Sequence, residues 1–347
     1  MIYKILNRIK KEWRKTPLGR TKKNANPMRW GIIGLGYMAE TFSCTIDGSK
    51  DDIVYAVASR NLAKAKKFAS NHGGCRAFGS YGEMVIDDSL NLDVIYIATP
   101  AIYHYNHIKL CLEAGKNVLC EKPITSTVEQ YEELIKIAKE HNCFFMEGMW
   151  MKCLPTFQRA CEWIAEGRIG TTELIKADFY KREQIHPSHA IFKANEGGGI
   201  LRDFGVYAIA FIEHFLGGYP DTLFSNRRVS SFGIDSDWNI IAERNDVRAI
   251  VNLSSNFGSL SKAAVIGNKG FIEWNSQFNR TNRVALYSAN GLLLDVFETS
   301  YSYEGFEYEL EEVHRCVKCG NKFSLLVSPE GTYNTMAIVN KLINDEK

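Results

Sequence analysis

The sequence lacks a long apolar run, a strong net charge and a cysteine framework, and each absence excludes a class of protein. No stretch approaches the roughly 18 uninterrupted apolar residues of a membrane-spanning helix. A formal net charge of +2 does not suggest a nucleic-acid binder. The nine cysteines are odd in number and widely scattered, which is not the disulfide pattern of a secreted domain. We therefore expect a protein of the reducing cytoplasm.

What is present is ordinary globular composition in a chain of 347 residues. Hydrophobic residues make up 45% and charged residues 24%, which excludes collagen-like, coiled-coil and disordered chains. At about 150 residues per domain, the length predicts two domains.

Two short motifs invite a metal site. Cys316 and Cys319 form the one C-x-x-C, but zinc needs about four ligands and no second pair exists. This motif predicts a helix with Cys316 facing the core. His186 and His189 have no carboxylate at a fixed spacing, so we expect a loop there. No metal is predicted.

The first 27 residues differ in charge from the rest. They hold nine Lys or Arg and one acid, a charge of +8 that leaves −6 for the remainder. Over residues 1–15 the pattern predicts an interfacial helix on an anionic membrane, the alternatives being a solubilising tail or a helix docked on a partner subunit. It does not predict a signal peptide. Residues 16–27 are expected to form a linker. The apolar stripe of the helix is Ile2, Ile5, Leu6, Ile9 and Trp13.

A glycine motif lies between a short apolar run at 30–33 and a helical stretch. Its form is G-x-G-x-x-A, with Gly34 for the tight turn and Gly36 for close approach of the backbone to a pyrophosphate. Ala39 lets the helix pack close to the sheet, and the helix N-terminus favours the phosphates. The predicted cofactor contacts are Gly34, Leu35, Gly36, Tyr37 and Met38.

Strands and helices alternate after this motif, which predicts an α/β fold with a doubly wound parallel sheet. We assign the dinucleotide-binding Rossmann domain to residues 28–150. The expected further strands are 53–58, 94–98, 117–120 and 143–146, and the expected helices are 62–70, 104–114 and 127–141.

The end of the second strand favours NADP over NAD. NAD-binding folds usually place an acid there for the ribose hydroxyls, whereas this chain has Ser59 and Arg60. The Arg60 guanidinium can pair with a 2′-phosphate, which a carboxylate would repel. Ser59 adds a hydroxyl, and Lys64 follows one helical turn later. The alternative is a surface arginine on a loop.

A second set of motifs resembles the Gfo/Idh/MocA oxidoreductase family. These are the run 114–123 with its Glu-Lys-Pro, residues 98–100 with His104, and Gly197–Gly199 leading into 203–207. The resemblance extends from about residue 28 to the end of the chain. It implies further cofactor contacts at Thr99, Pro100, His104, Glu121 and Lys122.

Residues 147–152 are similar to one branch of that family, which contains dimeric dihydrodiol dehydrogenase and NADP-dependent D-xylose 1-dehydrogenase. That branch typically has Arg-Phe where this chain has Lys152 and Cys153. It implies that Trp150 and Phe179 line the substrate pocket. The alternative for both aromatic residues is ordinary core packing.

The family also implies a second, α+β domain, which we assign to residues 151–347. It would contain an open, mostly antiparallel sheet with helices on one face. The exposed face commonly forms a dimer interface, so a homodimer or homotetramer is expected. Apolar and period-2 runs agree at 172–181, 222–232, 247–257, 262–267 and 282–288, with helices near 155–166, 304–319 and 329–343.

Asp203 and Tyr207 are spaced i, i+4, which places both on one face of a helix expected to begin near Ile200. The family resemblance directs this face at the nicotinamide and Lys122. Lys122 can polarise a substrate oxygen, and either Lys122 or Tyr207 can carry the proton. Some family members have His at the position of Tyr207, so the formal acid–base stays open between the two.

The predicted function is an NADP-dependent oxidoreductase of a sugar, a nucleotide sugar or a polyol. The alternatives are trans-dihydrodiol or D-xylose dehydrogenase activity, a redox glycosidase that retains NAD, and a catalytically silent NADP sensor. The expected location is cytoplasmic, with peripheral contact at the inner face of the membrane.

Overall fold

The computed structural model describes residues 21–182, 198–231, 233–275 and 277–344. The chain divides into two compact units. The first unit combines the chain up to Gly148 with Ser302–Leu325, and the second combines Met149–Tyr301 with the chain from Leu326. The segment 302–325, which the sequence analysis assigned to the second domain, groups with the first unit.

The first unit is built on a six-stranded sheet in the order β3-β2-β1-β4-β5-β6. Every pairing is parallel, which confirms the doubly wound α/β fold. All four residues of β4 are buried, as expected for a parallel strand covered on both faces. The strands are β1 (Met28–Ile33), β2 (Asp52–Ala58), β3 (Arg76–Phe78), β4 (Val94–Ile97), β5 (Asn117–Glu121) and β6 (Phe145–Gly148).

Six α-helices of this unit lie among its described residues. Asn61, Ser80 and Thr127 cap three of them with side-chain acceptors, which explains where these helices begin. The helices are α1 (Tyr37–Gly48), α2 (Leu62–Asn71), α3 (Tyr81–Ile86), α4 (His104–Glu113), α5 (Val128–Glu140) and α8 (Phe306–Lys318).

Helix α8 is the reason that 302–325 belongs to the first unit. Its Phe306 packs edge-on against Phe42 of α1, with ring centroids 6.4 Å apart. Nδ1 of His314 lies 3.3 Å from Oδ1 of Asp52 in β2. Cys316 of the same helix is buried, as the sequence predicted. Apolar burial therefore holds this late segment on the Rossmann sheet.

The end of the predicted linker is held against the first unit. Nζ of Lys23 donates to the carbonyl oxygens of Ile46, Asp47 and Ser49, near the end of α1, at 2.8–3.0 Å. Because the last carbonyls of a helix lack intrahelical partners, this lysine acts as a C-terminal cap. The tail predicted to lie on a membrane, residues 1–15, is outside the described residues.

The second unit is built on an eight-stranded sheet in the order β14-β13-β12-β11-β7-β10-β9-β8. One pairing, β7 with β10, is parallel and the others are antiparallel, which confirms the open, mostly antiparallel sheet. The strands are β7 (Thr172–Tyr180), β8 (Thr222–Val229), β9 (Asp235–Arg244), β10 (Val247–Ser254), β11 (Ala263–Gly267), β12 (Gly270–Trp274), β13 (Arg283–Ser288) and β14 (Leu293–Glu298).

Burial alternates along the central strands of this sheet, so one face packs inward and the other is exposed. The helices of the unit are α6 (Pro155–Ala165), α7 (Val206–Leu216) and α9 (Pro329–Asn344). No helix among the described residues has the length and apolar character needed to cross a membrane.

Candidate functional site

The turn after β1 requires glycine at Gly34. Its φ is +85°, and a Cβ there would lie 2.6 Å from Cγ2 and 2.7 Å from the backbone nitrogen of Thr99. Any other residue would be strained and would clash with the end of β4. The glycine thus lets the carboxyl ends of β1 and β4 approach each other, where open α/β sheets bind ligands.

Helix α1 begins directly after this turn with Gly36 as its N-cap. No side chain caps this end, and a Cβ on Gly36 would meet no atom within 4 Å. Leu35 and Ala39 are buried against the sheet, while Tyr37 is 74% exposed. A helix N-terminus without a side-chain cap beside open space can receive an anion, so these residues fit the pyrophosphate of a dinucleotide.

Ser59 and Arg60 follow the carboxyl end of β2, and Lys64 lies in the first turn of α2. The buried Ser59 hydroxyl accepts from the backbone N–H of Asn61, and the N–H of Lys64 donates to the Asn61 side chain in the first turn of α2. The exposed Arg60 guanidinium carbon lies 5.7 Å from the ring centroid of Tyr103. Sequence reasoning identified the three polar residues but missed Tyr103.

His107 is a second residue that the sequence reasoning missed. Its Nδ1 lies 3.0 Å from Oγ1 of Thr99, and its ring packs edge-on against Tyr81 at 4.8 Å. Burial, followed by the charges of His104 and Arg60, lowers the pKa of His107 to about 4. The ring is therefore neutral at physiological pH. The sequence did hold a signal for His107: it follows His104 by three residues, a spacing that places both side chains on one face of α4.

His104 joins two loops at the edge of the sheet. The ring is 1% exposed, with Nδ1 2.8 Å from the carbonyl oxygen of Pro123 and Nε2 2.7 Å from that of Thr99. Burial lowers the pKa of His104, the two carbonyl acceptors raise it, and the charge of Lys122 lowers it further, so that the net shift is downward. The neighbouring Pro100 begins the turn between Thr99 and this helix.

Lys122 follows β5 directly and is half-buried, and its peptide bond to Pro123 is cis. The next N–H, of Ile124, donates to Oε1 of Glu147 at 3.1 Å. Glu121 accepts from the Tyr96 hydroxyl at 2.6 Å and is 7% exposed, so this carboxylate contacts the interior of the unit. The chain therefore presents Lys122 at the strand end while its neighbour is buried.

A third glutamate shares this interior. Glu309 of α8 is fully buried, and neither carboxyl oxygen has a hydrogen-bond partner among the described residues. Burial and then the nearby carboxyls of Glu121 and Glu147 raise the pKa of Glu309 well above its usual range. Burial without a hydrogen-bond partner among the described residues thus favours the neutral form of this carboxyl.

In the second unit, Asp203 lies on a π-helical turn, Leu201–Gly205, that continues into α7. The expected helix near Ile200 is thus present, but its first turn is π rather than α. Single π turns are frequent at functional sites. The carboxylate of Asp235 accepts from the N–H of Leu201 at 2.8 Å, and so holds the start of this turn.

Tyr207, in the first turn of α7, contacts both predicted pocket residues. Nε1 of Trp150 donates to its hydroxyl at 3.1 Å, and its ring stacks on Phe179 with centroids 6.4 Å apart. Phe179 also stacks on Phe204 at 5.3 Å, and Nζ of Lys181 lies 3.9 Å from the Phe204 ring centroid. These side chains form one aromatic column beside the π turn.

Lys152, where the family branch typically has arginine, forms a buried ion pair. Its Nζ lies 3.2 Å from Oε2 of Glu213 on α7, and Asn334 of α9 donates to the other oxygen of the same carboxylate. The short helical turn Trp150–Cys153 therefore contacts α7 at two points, through Trp150 with Tyr207 and through Lys152 with Glu213. Breaking such a buried pair would cost about 3–5 kcal/mol.

The predicted residues thus form two groups, one in each unit. The first is the cofactor set with Lys122, and the second is the set of Asp203, Tyr207, Trp150 and Phe179. The meeting of the Asp203 and Tyr207 face with Lys122 stays a prediction.

Comparison with known families matches both parts of the chain. Residues 28–149 match the Gfo/Idh/MocA oxidoreductase family with its NAD-binding Rossmann fold, and residues 157–273 match the Gfo/Idh/MocA C-terminal domain. The chain therefore belongs to the Gfo/Idh/MocA family. It is an NAD(P)-dependent oxidoreductase.

Individual relatives agree with this membership. The chain is 31% identical over 312 residues to trans-1,2-dihydrobenzene-1,2-diol dehydrogenase of Xenopus laevis, covering 86% of this chain and 92% of the relative. The human protein of that name is 30% identical over 309 residues, with 86% and 91% covered.

Among solved structures, a 3-ketoreductase from Actinomadura kijaniata in complex with NADP and TDP-benzene has a TM-score of 0.79 at 24% identity. It covers 91% of this chain and 97% of its own. An NAD binding oxidoreductase from Klebsiella pneumoniae has a TM-score of 0.80 at 18% identity, with 90% and 95% covered. At these identities the two structures establish the fold.

Proposed function

We propose that the protein uses NADP to transfer a hydride between the nicotinamide and a hydroxyl or carbonyl carbon of a sugar, a nucleotide sugar or a polyol. The observation that carries the proposal is the placement of Lys122 at the same sheet edge as the Gly34 turn and the uncapped start of α1. A dinucleotide along that edge would bring its reactive end to the loops after β4 and β5.

The preference for NADP rests on the end of β2. Arg60 is exposed, and Ser59, Arg60 and Asn61 provide no carboxylate to repel a 2′-phosphate. The 3-ketoreductase with a similar fold was solved with NADP, which agrees with this preference.

Titration of the protein with NADPH and NADH tests the cofactor preference. Arg60→Ala should weaken NADPH by about 1.5–3 kcal/mol, as for a hydrogen bond to a charged group, and should leave NADH nearly unchanged. Equal binding of the two cofactors by the unsubstituted protein would contradict the proposal.

The chemistry requires a proton transfer besides the hydride. When bound, the nicotinamide accepts or supplies the hydride. Lys122 would polarise the substrate oxygen, and either Lys122 or Tyr207 would hold the proton that the hydroxyl loses. Because the indole N–H of Trp150 can only donate, the Tyr207 hydroxyl accepts in that bond and keeps its own proton for another partner.

The direct test is a panel of sugars, nucleotide sugars and polyols, followed by absorbance of the reduced nicotinamide. Net cofactor reduction or oxidation with one of these supports the proposal. Cleavage of a glycoside with retained NAD and no net reduction would indicate a redox glycosidase. Tight cofactor binding without turnover of any compound would indicate a sensor.

A second candidate is the oxidation of a trans-dihydrodiol. The relatives at about 30% identity carry that activity in their names, and the column of Trp150, Tyr207, Phe179 and Phe204 offers aromatic faces to a ring substrate. Dihydrodiols and D-xylose therefore belong in the same panel. Turnover of a dihydrodiol with none of the sugars or polyols would favour this candidate.

We also propose a homodimer or homotetramer formed through the open sheet. Phe224 and Ile241, opposite each other on β8 and β9, are 63% and 41% exposed. Apolar side chains on an exposed sheet face suit a subunit interface. Light scattering of the unsubstituted protein and of Phe224→Glu tests this, and a monomer in both would contradict it.

The N-terminal tail is proposed to bring the protein to anionic membranes at the inner face. Each basic residue near such a surface contributes about 1 kcal/mol, screened by salt. A chain starting at Thr21 is the control, because it keeps the capping contacts of Lys23. The full chain should sediment with anionic vesicles at low salt and the shortened chain should not. Equal partitioning would contradict the proposal.

A further inference from the structure

The ring of His104 contacts the backbone of both loops that carry candidate site residues. Its Nε2 faces the carbonyl oxygen of Thr99, after β4, and its Nδ1 faces that of Pro123, after β5. These carbonyls are 24 residues apart in sequence, and Pro123 is bonded directly to Lys122. A 1% exposed ring with two backbone partners is a fixed point between the loops.

The chemistry of the two contacts fixes their direction. A carbonyl oxygen accepts and never donates, so each ring nitrogen must carry a proton to make its bond. A neutral imidazole has one N–H, and burial, the charge of Lys122 and the position of His104 at the start of α4 all oppose the cation. The neutral ring therefore donates to one of the two loops.

We propose that His104 is a positioning residue for Lys122: its Nδ1–H donates to the carbonyl oxygen of Pro123 and thereby fixes the Lys122–Pro123 turn. This inference rests on the proposed role of Lys122 in proton transfer. A misplacement of about 1 Å at a reacting group can cost about 10²-fold in rate, so loss of this bond should affect turnover.

The two amide side chains can separate the two bonds. In asparagine the amide nitrogen is two bonds from Cβ, as is Nδ1 of histidine, whereas in glutamine it is three bonds away, as is Nε2. His104→Asn therefore keeps a donor toward Pro123, whereas the amide of His104→Gln places its donor toward Thr99 instead. His104→Phe keeps neither.

In the full-length protein, His104→Asn should keep kcat within about threefold. His104→Gln and His104→Phe should lower kcat about tenfold or more, by the misplacement argument. The NADPH dissociation constant of His104→Gln should stay near that of the unsubstituted protein, because a ring protonated at Nδ1 donates no hydrogen bond to the Thr99 loop that this variant could lose. Equal kcat values for the Asn and Gln variants would overturn the proposal.

A second readout does not depend on activity. Acetic anhydride labels exposed amines, and mass spectrometry of the peptide containing Lys122 gives its labelling rate against pH. His104→Gln and His104→Phe should shift this profile, while His104→Asn should leave it nearly unchanged. An unchanged Lys122 profile in all three variants would overturn the inference even if no substrate is found.

His72→Gln is the matched control. His72 is also a buried histidine of the first unit, 2% exposed, but its ring nitrogens face Asp47 and Glu40 of α1 rather than the two loops. The control should lose stability without any change in the labelling of Lys122. Turnover by the unsubstituted protein together with normal kcat in His104→Gln would reject the positioning role alone, whereas no turnover by any protein would reject the proposed function.

Discussion

The two units place their candidate site residues in different ways. In the first unit, Gly34, Arg60 and Lys122 each follow a parallel strand, so the sheet itself brings them to one edge. In the second unit, the positions of Asp203 and Tyr207 depend on side chains distant in sequence. Asp235, for example, accepts a hydrogen bond from the N–H of Leu201, 34 residues away. Strand ends are local signals, and such side-chain contacts are not.

The largest expected effect is on turnover and concerns the first unit. Lys122→Met removes the amine that polarises the substrate oxygen but leaves the strand end intact. Turnover should fall by about 10²-fold or more, the low end for acid–base participation, while the NADPH dissociation constant stays nearly the same. Steady-state kinetics and fluorescence titration measure the two quantities.

The control for this variant is Lys116→Met at the opposite end of β5. Lys116 pairs with Asp88 at 3.0 Å and lies away from the carboxyl edge of the sheet. It should keep normal turnover. Near-normal rates in Lys122→Met would remove Lys122 from the chemistry and leave the sheet edge as a cofactor site alone.

The next effect concerns the second unit. Asp235→Ala removes the acceptor of two N–H groups, that of Leu201 and the indole of the fully buried Trp238. Each buried donor left without a partner costs about 1–3 kcal/mol. The free energy of unfolding should fall by about that amount for each, and kcat should fall as well because the π turn carries Asp203.

Asp237→Asn on the same strand is the control for Asp235. Asp237 accepts from Ser254, at the end of β10, and from Asn256 just after it, rather than from the N–H of Leu201. It should lose stability while kcat is kept. If both variants lose stability and neither loses activity, then the second unit does not need its distant contacts for catalysis, and the contrast between the units fails.

The same contrast explains which elements the sequence predicted. The buried strands β1, β2, β4 and β5 are continuous apolar runs bounded by turns, and all four were found. Strand β9 was not predicted. Its inward residues Trp238, Ile240 and Ala242 do alternate, but a polar residue, Ser236, occupies the first inward position, and an apolar residue, Ile241, lies on the outward face. Strand β14 was missed because its apolar residues do not alternate with polar ones: Leu293 and Leu294 are adjacent. These two residues and Val296 are exposed on a strand at the edge of the sheet.

For the site, the glycine turn, Arg60 and Lys122 could be located from motifs, because their positions follow from strand ends. Tyr103 near Arg60 and the Asp235 contact could not, since each depends on how separate elements pack. The grouping of 302–325 with the first unit belongs to the same class. Its cause is the burial of Phe306 against Phe42, which no local pattern reveals.

The smallest expected effect compares two buried glutamates on α8. Glu309 has no hydrogen-bond partner in the described part of the chain, and burial raises its pKa. Burial also acts to raise the pKa of Glu312, but hydrogen bonds from Arg315 and Ser324 outweigh it and lower that pKa. One helix thus carries two carboxyls with opposite shifts, three residues apart, which makes each the control of the other.

The two shifts predict opposite pH dependences of stability. Below its ordinary pKa of 4.5, Glu309 is neutral in both the folded and the unfolded chain, and as pH rises above 4.5 ionisation favours the unfolded chain. Glu309→Gln cannot ionise, so its stability relative to the unsubstituted protein should increase with pH. Glu312 stabilises the folded chain above its ordinary pKa of 4.5, so Glu312→Gln should be less stable at neutral pH and should approach the unsubstituted protein as pH falls through the lowered folded-state pKa. Urea unfolding from about pH 2 to pH 8 covers the titration of both carboxyls, and equal pH profiles for the two variants would contradict the opposite shifts.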